Sequence, residues 1–385
     1  MDIKIFLKML KDKNFVDFSK MQYKYGKDFD SFLEALKELY YKELPLMDFS
    51  GEKTVFMEES FALNQSAIKF LLRSQNENFG LKAAEDEIIS TSAIESIDFN
   101  RDSVRNILKG MAPKDETENR ILGVKKGLEF IANTANEITE ENIYKLYMMA
   151  VGDFLDKENR LKKGEYYRHD KVYIVSDKIE HSGLDYKKLP QYMKTLVMFI
   201  NYDDGINDLI KAAIIHFYIA YIHPYFDGNG RMARLLHLWF LIQKGYMSAL
   251  FIPFSSEIEK SRKLYYRAFT QIENNKNYTG KIDITPFIIY FIDNVYNKIE
   301  QIYSPDVFMI FEEQIKNGNI TEKESKLWKF VLSCYGDGEF STKQLEKDFG
   351  DAAYATIRSF VLKFEEMELL TSAKYGVRVK YKVKK

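Results

Sequence analysis

One stretch of the chain combines residue types that can handle a polyphosphate; it reads His223-Pro-Tyr-Phe-Asp-Gly-Asn-Gly-Arg-Met-Ala-Arg234. Within it, Gly228, Asn229 and Gly230 lead into an apolar segment with helical spacing. Glycines leave backbone N–H groups open to an approaching group, and the dipole at a helix N-terminus favours an anion. These residues therefore predict an anion-binding loop.

Four side chains of the same stretch complete the predicted chemistry. Arg231 and Arg234 are three residues apart on the first turn of a helix, so both can offer bidentate donors to one anion. Asp227 directly precedes the loop, and a carboxylate beside phosphates suits Mg²⁺, which needs few protein ligands when phosphates complete its shell. His223 can take a proton from a reacting hydroxyl as a general base.

Two apolar helices must position this stretch. The first, Leu209 to Ile222, is apolar nearly all round, which is typical of a helix in the middle of a bundle. Pro224 ends it at His223. The second is predicted from about Arg231 to Gly245. The polar loop is therefore expected between the two most buried helices, where a site is held rigidly.

The stretch from His223 to Arg231 resembles the Fic family signature, His-Pro-Phe-x-Asp/Glu-Gly-Asn-Gly-Arg, and Arg234 continues it as Arg-x-x-Arg. Tyr225 stands where the family usually has Phe. The resemblance extends from about Ile88 to Val295. Fic proteins are helical and typically transfer AMP from ATP to a Ser, Thr or Tyr hydroxyl of a protein. The resemblance thus implies a Mg²⁺-dependent protein adenylyltransferase with ATP as substrate.

The roles of the family's residues carry over to the matching positions. His223 would deprotonate the target hydroxyl, which attacks the α-phosphorus, and Asp227 would hold Mg²⁺ against the α- and β-phosphates. Arg231 would bind the β-phosphate and Arg234 the γ-phosphate. The other nucleotide-binding residues that the resemblance implies are Gly228, Asn229 and Gly230 in the anion hole, and Tyr265 or Tyr266 near the adenine.

A short β-branched run, Lys171 to Asp177, predicts a strand in an otherwise helical region. A lone hairpin is not stable by itself, so it must lie on the helical body, and its edge can pair with an extended segment of a partner. The resemblance, which includes Gly164-x-x-Tyr-Arg168 just before this run, implies a flap that docks the target. The docking residues are Val172, Tyr173, Ile174, Val175 and Ser176.

The segment Glu85 to Ile97 reads as one helix that carries Thr91 and Glu95 on the same face. The residues alone favour a solvated carboxylate at Glu95. However, Thr91-Ser-Ala-Ile-Glu95-Ser96 is similar to the family's inhibitory motif, Ser/Thr-x-x-x-Glu-Gly/Asn. The resemblance implies that Glu95 pairs with Arg234 and blocks the productive pose of ATP. Ser96 replaces a Gly or Asn, which tolerate φ > 0 better.

The predicted fold is mainly α, a Fic helical bundle with a β-hairpin flap and a C-terminal winged helix-turn-helix. The predicted domains are an N-terminal helical region (1–84), an inhibitory helix segment (85–110), the catalytic domain (111–303) and the winged-helix domain (304–385). Residues 1 to about 80 are expected to be helical, and Asn274 to Lys281 to form a loop. The basic C-terminal hairpin is compatible with DNA binding and, equally, with protein contact or dimerisation.

Composition narrows the protein class. The 385 residues have a net charge of −1, which argues against a protein that binds nucleic acid with its whole surface. Cys334, the single cysteine, excludes a disulfide framework. The N-terminus lacks the pattern of a signal peptide, and no apolar run is long enough to span a membrane. A cytoplasmic protein without a membrane partner is expected.

Three functions stay open at this point. The first is Mg²⁺-dependent, autoinhibited AMP transfer to protein hydroxyls, including the protein's own. The second is removal of AMP from a modified protein at the same site, with Glu95 positioning water. The third is a DNA-binding transcriptional regulator that uses the domain as a nucleotide sensor. The target protein and the oligomeric state, a homodimer included, stay open as well.

Overall fold

The N-terminal part of the chain consists of three helices followed by a β-hairpin. The computed structural model describes residues 2–57, 81–176, 179–299, 305–335 and 338–384. The elements of this part are α1 (Ile3–Leu10), α2 (Phe18–Tyr25), α3 (Lys27–Leu39), β1 (Tyr41–Met47) and β2 (Lys53–Met57). The helices close a core of their own around Met21, Phe29 and Leu36.

The hairpin β1–β2 corrects the prediction that residues 1 to about 80 are helical; residues 58–80 lie outside the described part. Leu44 and Leu46 are buried and alternate with exposed neighbours, which is the period of a strand. Asp48 closes the turn because its carboxylate accepts hydrogen bonds from two turn amides. The short polar turn was the signal that separates this run from a helix.

The central part is a bundle of helices around one large apolar core, and the chain is mainly helical, as predicted. Its helices are α4 (Leu81–Ile94), α5 (Arg101–Leu108), α6 (Glu116–Ala132), α7 (Glu140–Ala150), α8 (Leu189–Asn201), α9 (Asp208–Ile222), α10 (Asn229–Gln243), α11 (Phe254–Lys260), α12 (Arg262–Thr279) and α13 (Thr285–Phe291). A hairpin of β3 (Tyr173–Ser176) and β4 (Ile179–Ser182) lies between α7 and α8. In the described ranges, no helix is long and apolar enough to cross a bilayer.

Helix α12 continues to Thr279, so the predicted loop from Asn274 to Lys281 is wrong for most of its length. Asn275 is a weak helix former, but tertiary contacts hold it in the helix. Its buried amide accepts from the backbone of Phe18 at 3.2 Å and donates to the carbonyl of Val16 at 2.8 Å. These partners lie more than two hundred residues away in sequence, so local propensity carried no sign of them.

The C-terminal part has a separate core around Trp328 and Phe364. Its elements are α14 (Pro305–Lys316), α15 (Glu322–Cys334), α16 (Thr342–Phe349), α17 (Tyr354–Glu366), β5 (Leu370–Tyr375) and β6 (Arg378–Val383). The helices and the terminal antiparallel hairpin follow one another in the predicted order. The winged-helix assignment, DNA binding and the domain boundaries stay predictions.

Candidate active site

His223 stands at the end of α9 in a left-handed backbone conformation, with φ 54° and ψ 65°. Such angles are uncommon outside glycine. Its N–H still donates to the carbonyl of Ile219 at 3.2 Å, while Pro224 prevents the helix from continuing. The chain therefore leaves the helix at this residue, and the imidazole departs from the direction of the helical side chains before it.

The His223 imidazole has the properties of a base. Its Nδ1 lies 3.3 Å from the carbonyl oxygen of Ala220, which only a protonated Nδ1 satisfies, so Nε2 keeps a free lone pair. Burial lowers the pKa of His223 to about 4, and the nearby positive charge of Arg168 acts in the same direction. The ring is therefore uncharged at neutral pH and able to accept a proton.

The loop after His223 is held in shape by Asn229. The Asn229 amide accepts from the backbone of Tyr225 at 2.9 Å and donates to the Tyr225 carbonyl at 2.9 Å. This side chain is therefore occupied in closing the loop, and only its backbone remains for the predicted anion hole. Gly228 has φ 80°, and a Cβ there would lie 2.5 Å from Val151. Any larger residue would push the loop away from α7.

Arg231 and Arg234, on the first two turns of α10, are buried, with 9% and 4% of their surface exposed. Arg231 donates to Asp227 at 3.3 Å, and Arg234 donates from Nε to the Thr91 hydroxyl at 2.6 Å. Nε of Arg231 and Nη1 of Arg234 are buried and have no hydrogen-bond partner among the described residues. Unpaired buried donors are costly, and a bound anion would satisfy them.

Glu95 lies against this arginine pair, which corrects the interpretation of a solvated carboxylate. Its Oε1 accepts from Nη2 of Arg234 at 2.7 Å. The same oxygen lies 2.2 Å from the place where a Cβ on Gly230 would be. Burial alone would raise the pKa of Glu95, but Arg234 outweighs it and the pKa is lowered. A carboxylate therefore occupies the space directly over the glycine loop.

The side chain of Asp227 is half exposed at the entrance of the loop. One oxygen accepts from the N–H of Gly228 at 2.5 Å and the other from Arg231. In the described part of the chain, no three His, Cys, Asp or Glu side chains cluster as a metal site. A hard, solvent-facing oxygen ligand nevertheless fits Mg²⁺ that takes the rest of its ligands from phosphates and water.

Comparison with known proteins identifies this region. Residues 137–241 match the model of the Fic/DOC family. The chain contains a Fic/DOC domain. The matched residues of this domain run from the residues just before α7 through the β3–β4 hairpin to α10. Glu95 and the tyrosines of α12 reach the Fic/DOC domain from outside the matched range.

Curated relatives are similar over a wider range than the Fic/DOC domain. A protein adenylyltransferase Fic from Drosophila willistoni is 26% identical over 230 residues, covering 56% of this chain and 42% of that protein. Another, from Aedes aegypti, is 25% identical over 275 residues, covering 65% and 51%. The chain thus spans about half the length of the curated relatives it matches.

Solved structures of Fic proteins were also compared with the chain. A Fic family protein from Desulfovibrio desulfuricans has a TM-score of 0.49 and 16% identity, covering 84% of this chain and 97% of that one. A Fic domain containing signaling protein from Bacteroides thetaiotaomicron has a TM-score of 0.46 and 20% identity, covering 62% and 88%.

Of the two tyrosines predicted near the adenine, Tyr265 is in the core. It is 3% exposed, and its hydroxyl lies 3.0 Å from Nε2 of His216. Aromatic side chains surround its ring, so no face of the ring is free to stack on adenine. Tyr266 is 43% exposed, with the guanidinium of Arg262 over its ring. A nucleotide contact from this pair is therefore proposed for Tyr266 alone.

The flap of the Fic/DOC domain is the β3–β4 hairpin, which pairs Tyr173 with Ser182 at its base and Ser176 with Ile179 at its tip. Asp177, the predicted end of the strand, lies outside the described residues. Tyr173 is 57% exposed. Four of the predicted docking residues, Tyr173 to Ser176, thus form β3 and Val172 directly precedes it, while their docking role stays a proposal.

Sequence reasoning missed three contributors to the site. Tyr147 of α7 stacks on Tyr225 with ring centroids 3.7 Å apart, so Tyr225, which stands where the family usually has Phe, has an aromatic stacking partner. The buried carboxylate of Glu87 binds the amide and hydroxyl of Ser255, fastening α4 to α11. Arg168 was noted only as part of a similar pattern, although it contacts both the flap and His223.

Proposed function

We propose that this protein transfers AMP from ATP to a hydroxyl group of a protein, its own hydroxyls included. One observation carries the proposal: an uncharged, base-competent His223 lies five residues before a glycine loop, and the helix after that loop carries a buried arginine pair whose free donors suit an anion. The names of the curated relatives support the same activity. ATP is the anion that such a base and such a loop would process together.

In the proposed reaction, the target oxygen attacks the α-phosphorus while its proton passes to Nε2 of His223. The bond from the α-phosphorus to the bridging oxygen breaks, and pyrophosphate leaves. Arg231 and Arg234 hold the leaving phosphates through bidentate hydrogen bonds. Backbone N–H groups of Asn229 and Gly230 orient the chain of phosphates at the helix N-terminus.

Asp227 is the residue that would hold Mg²⁺, since its carboxylate faces solvent beside the glycine loop. When bound, Mg²⁺ would neutralise charge on the phosphates. Asp227 itself also accepts from Arg231, so it keeps that guanidinium directed toward the loop.

We also propose that the protein inhibits itself through Glu95. The carboxylate is bound to Arg234 and lies over Gly230, where a phosphate would otherwise sit. ATP therefore has to compete with an intramolecular anion. Thr91 supports this arrangement because its hydroxyl and carbonyl both accept from Arg234.

The test of the activity is His223→Ala in a Glu95→Gly background, incubated with MgCl₂ and ATP labelled at the α-phosphate. We expect loss of label transfer to protein by about 100-fold or more, the usual contribution of a general base. His169→Ala in the same background removes another imidazole near the loop and should retain transfer. Label transfer that survives His223→Ala would disprove the mechanism.

A further inference from the structure

Arg168 lies between the loop that follows His223 and the flap, with 2% of its surface exposed. Its Nε donates to the carbonyl of His223 at 2.8 Å. Its Nη1 donates to the carbonyl of Asp170 at 2.7 Å, and its Nη2 donates to the carbonyl of Leu184. Its backbone N–H donates to the carbonyl of Pro224 at 2.9 Å. One residue therefore joins four points of the main chain.

The partners of this guanidinium are backbone carbonyls. Within the described ranges, no carboxylate forms an ion pair with it, although Asp170 and Asp185 lie near enough to favour its charge. Burial lowers the pKa of Arg168, which reflects the cost of taking its charge out of water. An arginine in this position is expensive for stability alone, and a neutral side chain would avoid the cost.

The three carbonyls belong to the two parts that must be in register for the proposed reaction, the flap and the turn at His223. Asp170 precedes β3 and Leu184 follows β4, so they are the two roots of the flap. The third carbonyl is that of His223, whose left-handed conformation sets the direction of its imidazole. A planar fork of donors can hold three carbonyls in a fixed geometry, which a single ammonium group cannot.

Gly183 leaves room for this connection. A Cβ on Gly183 would lie 3.0 Å from Nη2 of Arg168 and 2.8 Å from Val172. The Gly183 N–H donates to the carbonyl of Val172 at 2.9 Å, continuing the hairpin pairing at its root. The guanidinium thus passes directly beneath the base of the flap.

We propose that Arg168 is a positioning residue: it fixes the flap, and so the target segment paired with it, relative to the base His223. The inference rests on the proposed function, since it concerns the geometry between the target hydroxyl and the base. Arg168 is not a catalytic residue, because each of its three guanidinium nitrogens donates to the protein backbone.

The test compares Arg168→Lys and Arg168→Gln with wild-type Arg168, all in the Glu95→Gly background. Arg160→Lys and Arg160→Gln are matched controls, because the partners of exposed Arg160 among the described residues are also backbone carbonyls, those of Leu155 at 2.6 Å and Asp153 at 3.4 Å. We expect both Arg168 variants to lower kcat by about 100-fold, the effect of a misplacement near 1 Å. The KM for ATP should stay the same, because no Arg168 hydrogen bond reaches the glycine loop or the arginine pair.

A second readout does not depend on activity. Hydrogen exchange at the amides of Tyr173 to Ser176 and of Ile179 to Ser182 should be faster in both Arg168 variants and unchanged in the Arg160 controls. If His223→Ala leaves AMP transfer intact, the proposed function fails, whereas the exchange data still decide whether Arg168 holds the flap. If an Arg168 variant does not fold, Gly183→Ala tests the same contact by displacing the guanidinium.

Three results would overturn the inference. The first is an unchanged kcat in Arg168→Gln. The second is full activity in Arg168→Lys, which would mean that charge alone suffices. The third is flap exchange that is equal in the Arg168 variants and wild type.

Discussion

Glu95 and a phosphate would compete for Arg234, because both are anions that fit its guanidinium. The carboxylate is already in place at 2.7 Å and is three-quarters buried. Burial strengthens such a pair relative to one in water, so it is a credible competitor for the third phosphate of ATP. At the scale of single residues, the strength of the proposed inhibition therefore depends on one contact.

Replacing Glu95 by Gly should raise the rate of AMP transfer by about tenfold or more, since each 1.4 kcal/mol of lost competition corresponds to a factor of ten. The KM for ATP should fall at the same time. The matched variant Glu95→Gln keeps the shape and removes the charge, and an intermediate rate is expected for it. The measurement is the rate at which label passes from ATP to a protein target in the same mixture. A rate that does not rise in Glu95→Gly would contradict the proposed inhibition.

The position of Glu95 depends in turn on how α4 ends. Ile97 donates to the carbonyl of Ser92 and Ser96 to that of Ala93, both at 2.9 Å, while Ser96 has φ 60°. This is the Schellman pattern, with Ser96 at the position where glycine is preferred. The predicted helix through Ile97 therefore stops at Ile94, and Glu95 is its final cap.

Substitution of Ser96 should change both stability and inhibition. A left-handed conformation costs a non-glycine residue about 1–2 kcal/mol, so Ser96→Gly should hold Glu95 more firmly and lower AMP transfer severalfold. Ser96→Val, which is β-branched, should loosen the helix end and raise transfer. Ser96 is exposed, so neither change disturbs packing. An AMP-transfer rate of Ser96→Val that is equal to or lower than that of Ser96→Gly would refute this account.

Sequence reasoning located the elements whose pattern is local. Helix α9 was found because it is apolar nearly all round, α10 because its apolar residues have helical spacing, and the turn at His223 because of Pro224. The hairpin β1–β2 was missed although its polar turn is a local signal. The end of α12 was missed because distant partners hold it in the helix. Tyr265 was misplaced for the same reason: adjacent tyrosines look alike in sequence, and only packing distinguishes the buried one. The roles of the site residues remain predictions.

In the whole molecule, the C-terminal part packs on the helices that carry Glu95. Leu332 of α15 contacts both the C-terminal core and the central core. Asp348 lies 3.9 Å from Lys109, next to the end of α5. A cleft of about 610 Å³ separates the two parts beside these contacts. Helices α4 and α5 are therefore supported from both sides.

The central core contains two histidines whose protonation makes the stability of the core depend on pH. His216 and His237 are buried, and each ring lies close to one tyrosine hydroxyl, that of Tyr265 at 3.0 Å and that of Tyr296 at 3.3 Å. Burial lowers the pKa of His237 to about 3, and it lowers the pKa of His216 as well. Both are uncharged in the folded protein at neutral pH, so neither adds charge to the site.

Acid should therefore destabilise this core through its two histidines. Below the ordinary histidine pKa of about 6.5, His237 binds a proton in the unfolded chain but stays neutral in the folded protein. The stabilisation is complete above that pH and is lost as pH falls, by about 1.4 kcal/mol per pH unit for each histidine. For His237 the loss continues down to its folded pKa of about 3.

Urea unfolding from pH 7.5 to 5.0 measures this slope. In a Trp328→Phe background, Trp239 is the remaining tryptophan and reports on the central core alone. His237→Gln removes one titrating group, so its unfolding free energy should fall less steeply with acid, by about 1.4 kcal/mol per pH unit below 6.5. His237→Gln is also expected to be less stable than the parent at pH 7.5, because it loses the packing of the ring. Parallel slopes in the two proteins would mean that His237 already carries its proton in the folded core, and the neutral histidine pair would then be wrong.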